Sequence, residues 1–165
     1  MNRILTLTVL LITQILFIGG VLANNNAMLF KGTLIEPPNC IINNGQTLDV
    51  NFGDELMTSR VDGKNYLKQV KHSLKCKNPA LNNMKMRIVG ESASFDDTSL
   101  QTDNENLAIK ILVNKKHISV NEWVNFTYDN NFGVYRLDVV PVKSPAATLK
   151  GGSFLATGIL MVDYQ

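Results

Sequence analysis

The side chains of this sequence that could do chemistry are few and scattered. His72 and His117 are its two histidines, and neither has a second histidine at a ligand spacing, so neither a metal site nor a histidine base is expected. Asp96, Asp97, Asp103 and Glu105 make an acidic cluster within one polar stretch. They lack the spaced D-x-D-x-D-G register of a calcium loop, and a solvated loop is the expectation. No G-x-S-x-G, phosphate loop or H-E-x-x-H occurs. Asn125-Phe126-Thr127 matches a glycosylation sequon, a three-residue pattern that often arises by chance. No catalytic residue, metal or cofactor is expected, and the chain does not read as an enzyme.

Compartment follows from the first residues. Arg3 is followed by an apolar run from Ile4 to Gly20, and Val21-Leu22-Ala23 offers the small residues of a cleavage site, so residues 1–23 read as a secretion signal. An uncleaved membrane anchor is the competing reading, but the run is short for a bilayer span and no positive flank follows it. Removing residues 1–23 takes away Arg3 as the only charge and leaves 142 residues, enough for one domain, with 15 basic and 14 acidic side chains. A chain so close to neutral is not expected to bind nucleic acid. In an exported chain the two cysteines, Cys40 and Cys76, read as one disulfide. A metal site would want more ligands nearby, and a catalytic thiol would want a histidine partner and a reducing compartment.

The elements that position these residues read as strands. Cys40 to Ile42 and Thr47 to Phe52 flank an Asn43-Asn44-Gly45 turn, whose residues accept positive φ cheaply. Residues 53–64 read as a loop with a single helical turn at 55–57. Further strands are expected at 66–77, 81–89, 107–113 and 135–142, with an irregular strand at 122–128 and a polar connection at 90–106. No segment holds an apolar period of 3.6 over three turns, so the fold expected is an all-β sandwich.

Two stretches stand out. Phe154, Ala156, Gly158, Leu160, Val162 and Tyr164 occupy every second position near the C-terminus, one face of a long strand. No turn or strand follows in the sequence, so one of its edges needs a partner or stays open, a hazard for aggregation. At the other end Met28, Phe30, Gly32 and Leu34 alternate ahead of Glu36-Pro37-Pro38. The double proline either sets this segment apart from the domain or merely kinks an ordinary first strand. If the segment is set apart, residues 28–34 of one molecule can lie beside the terminal strand of the next. Such a contact is head-to-tail and builds a fibre.

In these features the chain resembles the pilin subunits of the bacterial chaperone–usher pathway over essentially its whole mature length. The matching features are the signal peptide, Phe30-x-Gly32-x-Leu34 followed by prolines and Cys40, the second cysteine Cys76, and the ending Gly152-x-Phe154-x-Ala156-x-Gly158-x-Leu160-x-Val162-x-Tyr164-Gln165. The run from Gly32 to Gln46 is most similar to minor tip-adaptor subunits of P-pilus-type fimbriae. What the resemblance implies is an incomplete immunoglobulin-like sandwich that lacks its seventh strand and is completed by donor-strand complementation. It divides the chain into a signal peptide at 1–23, a donor-strand extension at 24–36 and a pilin domain at 37–165.

The partners implied are a periplasmic fimbrial chaperone, which lends a strand and anchors the carboxylate of Gln165, an outer-membrane usher, and neighbouring pilin subunits in a heteropolymeric fibre. Met28, Phe30, Gly32 and Leu34 take the donor roles, and Phe154 to Tyr164 the acceptor role. The location implied is the cell surface, reached through the periplasm, and the role is structural support of cell adhesion. Two departures are visible: Asn39 is inserted between Pro38 and Cys40, and Gly158 stands where many relatives carry alanine. The glycine is expected to loosen the strand by a few tenths to about 1 kcal/mol. Minor, major and terminating subunits stay open, whereas a two-domain adhesin is disfavoured by length. From another class, the alternative is a secreted carbohydrate-binding β-sandwich acting alone, with Trp123 and Tyr128 as its stacking pair, although these two also suit the edge of a core.

Overall fold

The structure, a computed structural model, describes residues 28–129 and 135–165. The expected signal peptide and residues 24–27 of the expected extension lie outside the described residues. The chain divides into two units between Leu34 and Ile35. In the first, residues 28–34 form no strand, and Met28, Leu29, Phe30 and Leu34 are all exposed.

Eleven strands are described in the second unit. They are β1 (Cys40–Ile42), β2 (Lys68–Gln69), β3 (Leu74–Cys76), β4 (Asn83–Val89), β5 (Ser92–Ala93), β6 (Asp96–Gln101), β7 (Leu107–Val113), β8 (Lys116–Ile118), β9 (Val124–Thr127), β10 (Leu137–Lys143) and β11 (Ile159–Tyr164). One sheet runs β2-β10-β7-β6-β5, with β8 also on β7. A second runs β11-β4-β9, and β1 pairs with β3 alone. Every pairing is antiparallel. Among the described residues there is no α-helix, only 3-10 turns at Asn43–Gly45 and Thr58–Arg60.

Sequence pattern explains which faces meet. In β4 the alternation Met84, Met86, Ile88 is buried while Lys85, Arg87 and Val89 are half-exposed, the mark of a strand with one wet face. The run LAIKILV of β7 keeps five of seven residues buried, as a central strand requires. Met86 and Ile88 meet Ile109, Ile111 and Val113 of β7 and Leu137 and Val139 of β10 in one core between the two sheets. A second cluster joins Leu74, Cys76, Met84, Tyr128 and Tyr164.

Several elements differ from the sequence reading. Residues 90–106 are not a bare connection but contain β5 and β6, whose sequence DDTSLQ hides a strand behind polar side chains. The strand expected at 66–77 is broken into β2 and β3, and Tyr66 adopts φ of 67°. The helical turn falls at 58–60 rather than 55–57. Residues 124–127 are a regular strand, paired with β4. Thr47 to Phe52, expected as a strand, joins no sheet, although Leu48, Val50 and Phe52 are half-buried against the core. The Asn43-Asn44-Gly45 turn has positive φ at all three residues, 47°, 54° and 78°.

Candidate functional site

The candidate site is the free edge of β11 and the apolar row facing it. β11 pairs with β4 from Ile159↔Val89 to Tyr164↔Met84 and ends the order of its sheet, so among the described residues its other edge meets no strand. Gln165 N donates to Asn83 O at 3.3 Å, which assigns the odd-numbered main-chain groups to the β4 side. Main-chain groups alternate in direction along an antiparallel strand, so those of Leu160 and Val162 point to the open side. Tyr164 N is capped by Asp163 Oδ1 at 2.8 Å. Upstream, Leu155 and Asp103 are locked together: Asp103 N donates to Leu155 O, and Leu155 N donates to Asp103 Oδ1, both at 2.9 Å.

The side chains of this stretch are incompletely covered. Phe154, Ala156, Leu160 and Val162 are only half-buried against the core, and Gly158 is exposed. Leu48, Val50 and Phe52 form a second half-buried row on the same core. The two rows touch at one end, where the rings of Phe52 and Phe154 lie 5.8 Å apart. At the other end Ile42 and Val162 pack on the cluster around Tyr164. The core is therefore bordered by two incompletely covered stretches, residues 47–52, which join no sheet, and the stretch that leads into the free edge of β11.

Beneath the far end of this strip sits the disulfide. Cys40 and Cys76 are bonded and stand directly opposite in the β1–β3 pair, with Cα atoms 3.9 Å apart. Two tyrosine hydroxyls accept backbone hydrogen bonds here, Tyr128 from Cys76 N at 2.9 Å and Tyr164 from Ala80 N at 2.8 Å. They tie β9 and β11 to the chain that follows the bridge.

Gly158 is closely packed on its inner side. A Cβ at this position would stand 3.1 Å from Ile88 Cγ2 and 3.5 Å from Leu100 Cδ2, so neighbours already occupy the room. Gly90 is tighter still: a Cβ there would overlap Leu100 Cδ1 and stand 3.2 Å from Thr157 O. Both positions use the absence of a side chain for a close approach.

The remaining sequence candidates take structural positions. His72 Nδ1 lies 2.9 Å from Val70 O, and its ring packs at 5.2 Å on Tyr135, whose phenol is pushed up by burial. Asp96 accepts from Thr98 Oγ1 and from Ser99 Oγ, fixing its own turn. No group of three or more potential metal ligands occurs among the described residues. Trp123 and Tyr128 do not form a sugar-stacking pair: Tyr128 is buried with its hydroxyl on Cys76 N, and Trp123 lies under Arg87 and Lys85, 4.4 and 5.0 Å from its ring centre. Met28, Phe30, Gly32 and Leu34, expected from the resemblance as donor residues, are exposed in the first unit, and a Cβ on Gly32 would meet nothing within 4 Å. Sequence reasoning missed the wall at Leu48, Val50 and Phe52, although its period of two was the available signal. It also missed the locks on Leu155 and Ala80, for which side-chain type alone gives no signal.

Comparison with known proteins places this geometry. The family model described as "Fimbrial protein" matches residues 28–165. Two Escherichia coli K12 proteins, the uncharacterized fimbrial-like proteins YfcQ and YfcR, are each 30% identical, over 146 and 162 residues. The alignments cover 87% and 94% of this chain and 90% and 91% of theirs. Among solved structures, the P pilus rod subunit PapA aligns with a TM-score of 0.58 at 19% identity, covering 84% of this chain and all of that one. The P pilus adaptor subunit PapF gives 0.57 at 20%, covering 79% and 98%. The fold is that of pilus subunits, an all-β sandwich, and the chain belongs to the fimbrial protein family as a structural pilin.

Proposed function

We propose that the chain is a minor or adaptor pilin of the chaperone–usher pathway that polymerises by donor-strand exchange. The observation that carries the reading is the free edge of β11, whose inward residues Leu160 and Val162 stay half-buried beside the unpaired row Leu48, Val50 and Phe52. A strand laid along that edge satisfies the open main-chain groups and covers the strip of core. A periplasmic chaperone supplies that strand first, and the usher then exchanges it for the extension of the next subunit. Met28, Phe30, Gly32 and Leu34 are the residues this chain offers in turn, exposed in an alternating segment ahead of Pro37 and Pro38. The product is a surface fimbria reached through the periplasm.

The test is expression in a periplasm with and without a matching fimbrial chaperone, read by size-exclusion chromatography. Recovery only as a one-to-one chaperone complex, lost when Leu160→Lys and Val162→Lys are introduced, is the expected result. A monodisperse monomer without chaperone means that the sandwich completes itself, and the reading fails.

A further inference from the structure

We propose that the wet face of the β11-β4-β9 sheet carries a binding site for an acidic saccharide, in which Arg87 and Lys85, both stacked on Trp123, receive a carboxylate or sulfate group. The site lies on the face of the sheet, away from the free edge of β11, and does not depend on the donor-strand reading. Arg87 Cζ stands 4.4 Å and Lys85 Nζ 5.0 Å from the centre of the same indole ring. The ring attracts each cation, but two like charges gathered on it repel one another. Neither forms an ion pair among the described residues. Asp163 is the register partner of Lys85 across β11, yet its Oδ1 accepts from Tyr164 N at 2.8 Å, and Lys85 lies over the ring instead.

The donors of Arg87 are largely unspent. Its Nε is buried with no partner, and its one hydrogen bond among the described residues runs from Nη2 to Met161 Sδ at 3.9 Å, a weak acceptor. With the indole and the thioether against it, the guanidinium is held in place before a ligand arrives. An anion seated on the two cations relieves their repulsion and gains charge-assisted hydrogen bonds from the planar fork.

The surrounding face indicates what carries the acid group. β4 is paired on both sides, with β11 and with β9, so its main-chain groups are spent and an extended peptide finds no ladder to join here. What the face offers is side chains. Asn125 is the partner of Lys85 on β9, and Asn83, Asn125 and Thr127 are exposed amides and a hydroxyl that suit sugar hydroxyls. On the other flank Ile159 and Met161, 66% and 40% exposed, give the C–H face of a sugar ring something to rest on. Trp123 is not itself the stacking platform, because the cations it positions already occupy its ring.

Trp123 is the only tryptophan of the chain, so its emission reports directly on the site. The mature full-length chain is titrated as its chaperone complex, with the chaperone alone in parallel; a chain recovered as a free monomer is titrated in that form. The probes are polygalacturonate and dextran sulfate, their uncharged counterparts methyl-esterified polygalacturonate and dextran, and poly-glutamate as an acidic polypeptide. At least one acidic polysaccharide is expected to shift the emission, and the one that does names the acid group, while the uncharged polymers leave it unchanged. Arg87→Gln and Lys85→Gln are each expected to weaken binding about tenfold or more. Lys116→Gln removes the same charge from an exposed position on the other sheet and is expected to have no effect.

No shift with either acidic polysaccharide overturns the proposal. So does an equal loss in Lys116→Gln, which assigns the binding to net charge rather than to the paired cations. Equal binding of an uncharged polymer shows that no acid group is read, and equal binding of poly-glutamate removes the saccharide as the occupant.

Discussion

The hydroxyl of Tyr164 accepts a hydrogen bond from the backbone N–H of Ala80 at 2.8 Å, 84 residues away in sequence. Through this contact the end of the last strand is tied to the loop that follows the disulfide. Tyr164 is buried beside Cys76 and Met84, so its ring also fills the cluster under the strand. Replacing it with phenylalanine keeps the ring and removes only the acceptor. Tyr164→Phe is expected to destabilise the domain by about 1–2 kcal/mol, since Ala80 N–H loses its partner in a partly buried setting. Urea unfolding of the chaperone-bound domain and of the same complex carrying the variant, with unchanged slopes, measures it.

Gly90 gives a steric prediction. Any Cβ at this position overlaps Leu100 Cδ1 and crowds Thr157 O. The leucine methyl can swing aside but the carbonyl is main chain, so Gly90→Val is expected to cost about 1–3 kcal/mol. Because Thr157 lies within the stretch proposed as acceptor, Phe154 to Tyr164, the same variant is also expected to displace that stretch. A lower unfolding midpoint together with weaker chaperone binding is the expected pair of readouts, and no change in either refutes the packing argument.

The disulfide closes a loop with a sequence separation of 36. In the loop-entropy model such a bridge contributes about 3–4 kcal/mol by restricting the unfolded chain. Cys40→Ser combined with Cys76→Ser is expected to lower stability by that order. Comparison of thermal unfolding with and without reductant on the unsubstituted chain gives an independent check.

Acid is expected to destabilise the domain in two steps. Burial, and then the nearby Lys110, lower the pKa of His117 from its usual 6.5, despite an opposing pull from Asp96. The unfolded chain therefore takes up a proton more readily than the folded one, and stability falls as pH drops below about 6.5. Asp96 follows at lower pH. Burial pushes its carboxyl up, but the hydrogen bonds from Thr98 and Ser99 outweigh that and hold it below 3.8. The stability these bonds give is present above that value and is lost as pH falls through the folded pKa. His117→Asn is expected to flatten the first step alone, and Asp96→Asn the second. Urea midpoints taken from pH 7 to pH 3 separate the two.

The parts of the fold legible in sequence were those whose pattern is carried by apolar side chains. Met84, Met86 and Ile88 announced β4, and LAIKILV announced β7, because burial on one face or on both leaves a period or a run. β6 was illegible for the opposite reason: Asp96, Asp97, Thr98 and Ser99 look like loop, and only pairing with β5 and β7 makes them strand. The last strand was legible as a strand and as a candidate edge, but only Ile159–Tyr164 of the expected Phe154 to Tyr164 pairs in a sheet, and its pairing with β4 was not legible, since no local rule links Ile159 to Val89. Thr47 to Phe52 was read as a strand, but it joins no sheet, and the half-burial of Leu48, Val50 and Phe52 was not read. What sequence did not convey is that this row is unpaired and meets the C-terminal stretch where Phe52 packs on Phe154, a fact about two distant segments at once.

The bridge between Cys40 and Cys76 has a mechanical side. A pull on the chain ahead of Cys40 meets a covalent shortcut at the first residue of β1 and passes straight to the last residue of β3. The residues in between are out of the load path, whatever happens to their turns. Were that loop free to unravel, its 36 positions would let the domain lengthen by roughly 120 Å. With the bridge intact that slack is denied. Tension is carried instead by the antiparallel ladder of β11 on β4, whose rungs lie across the strands and share a lengthwise load together. The domain is thus built as a link of fixed length.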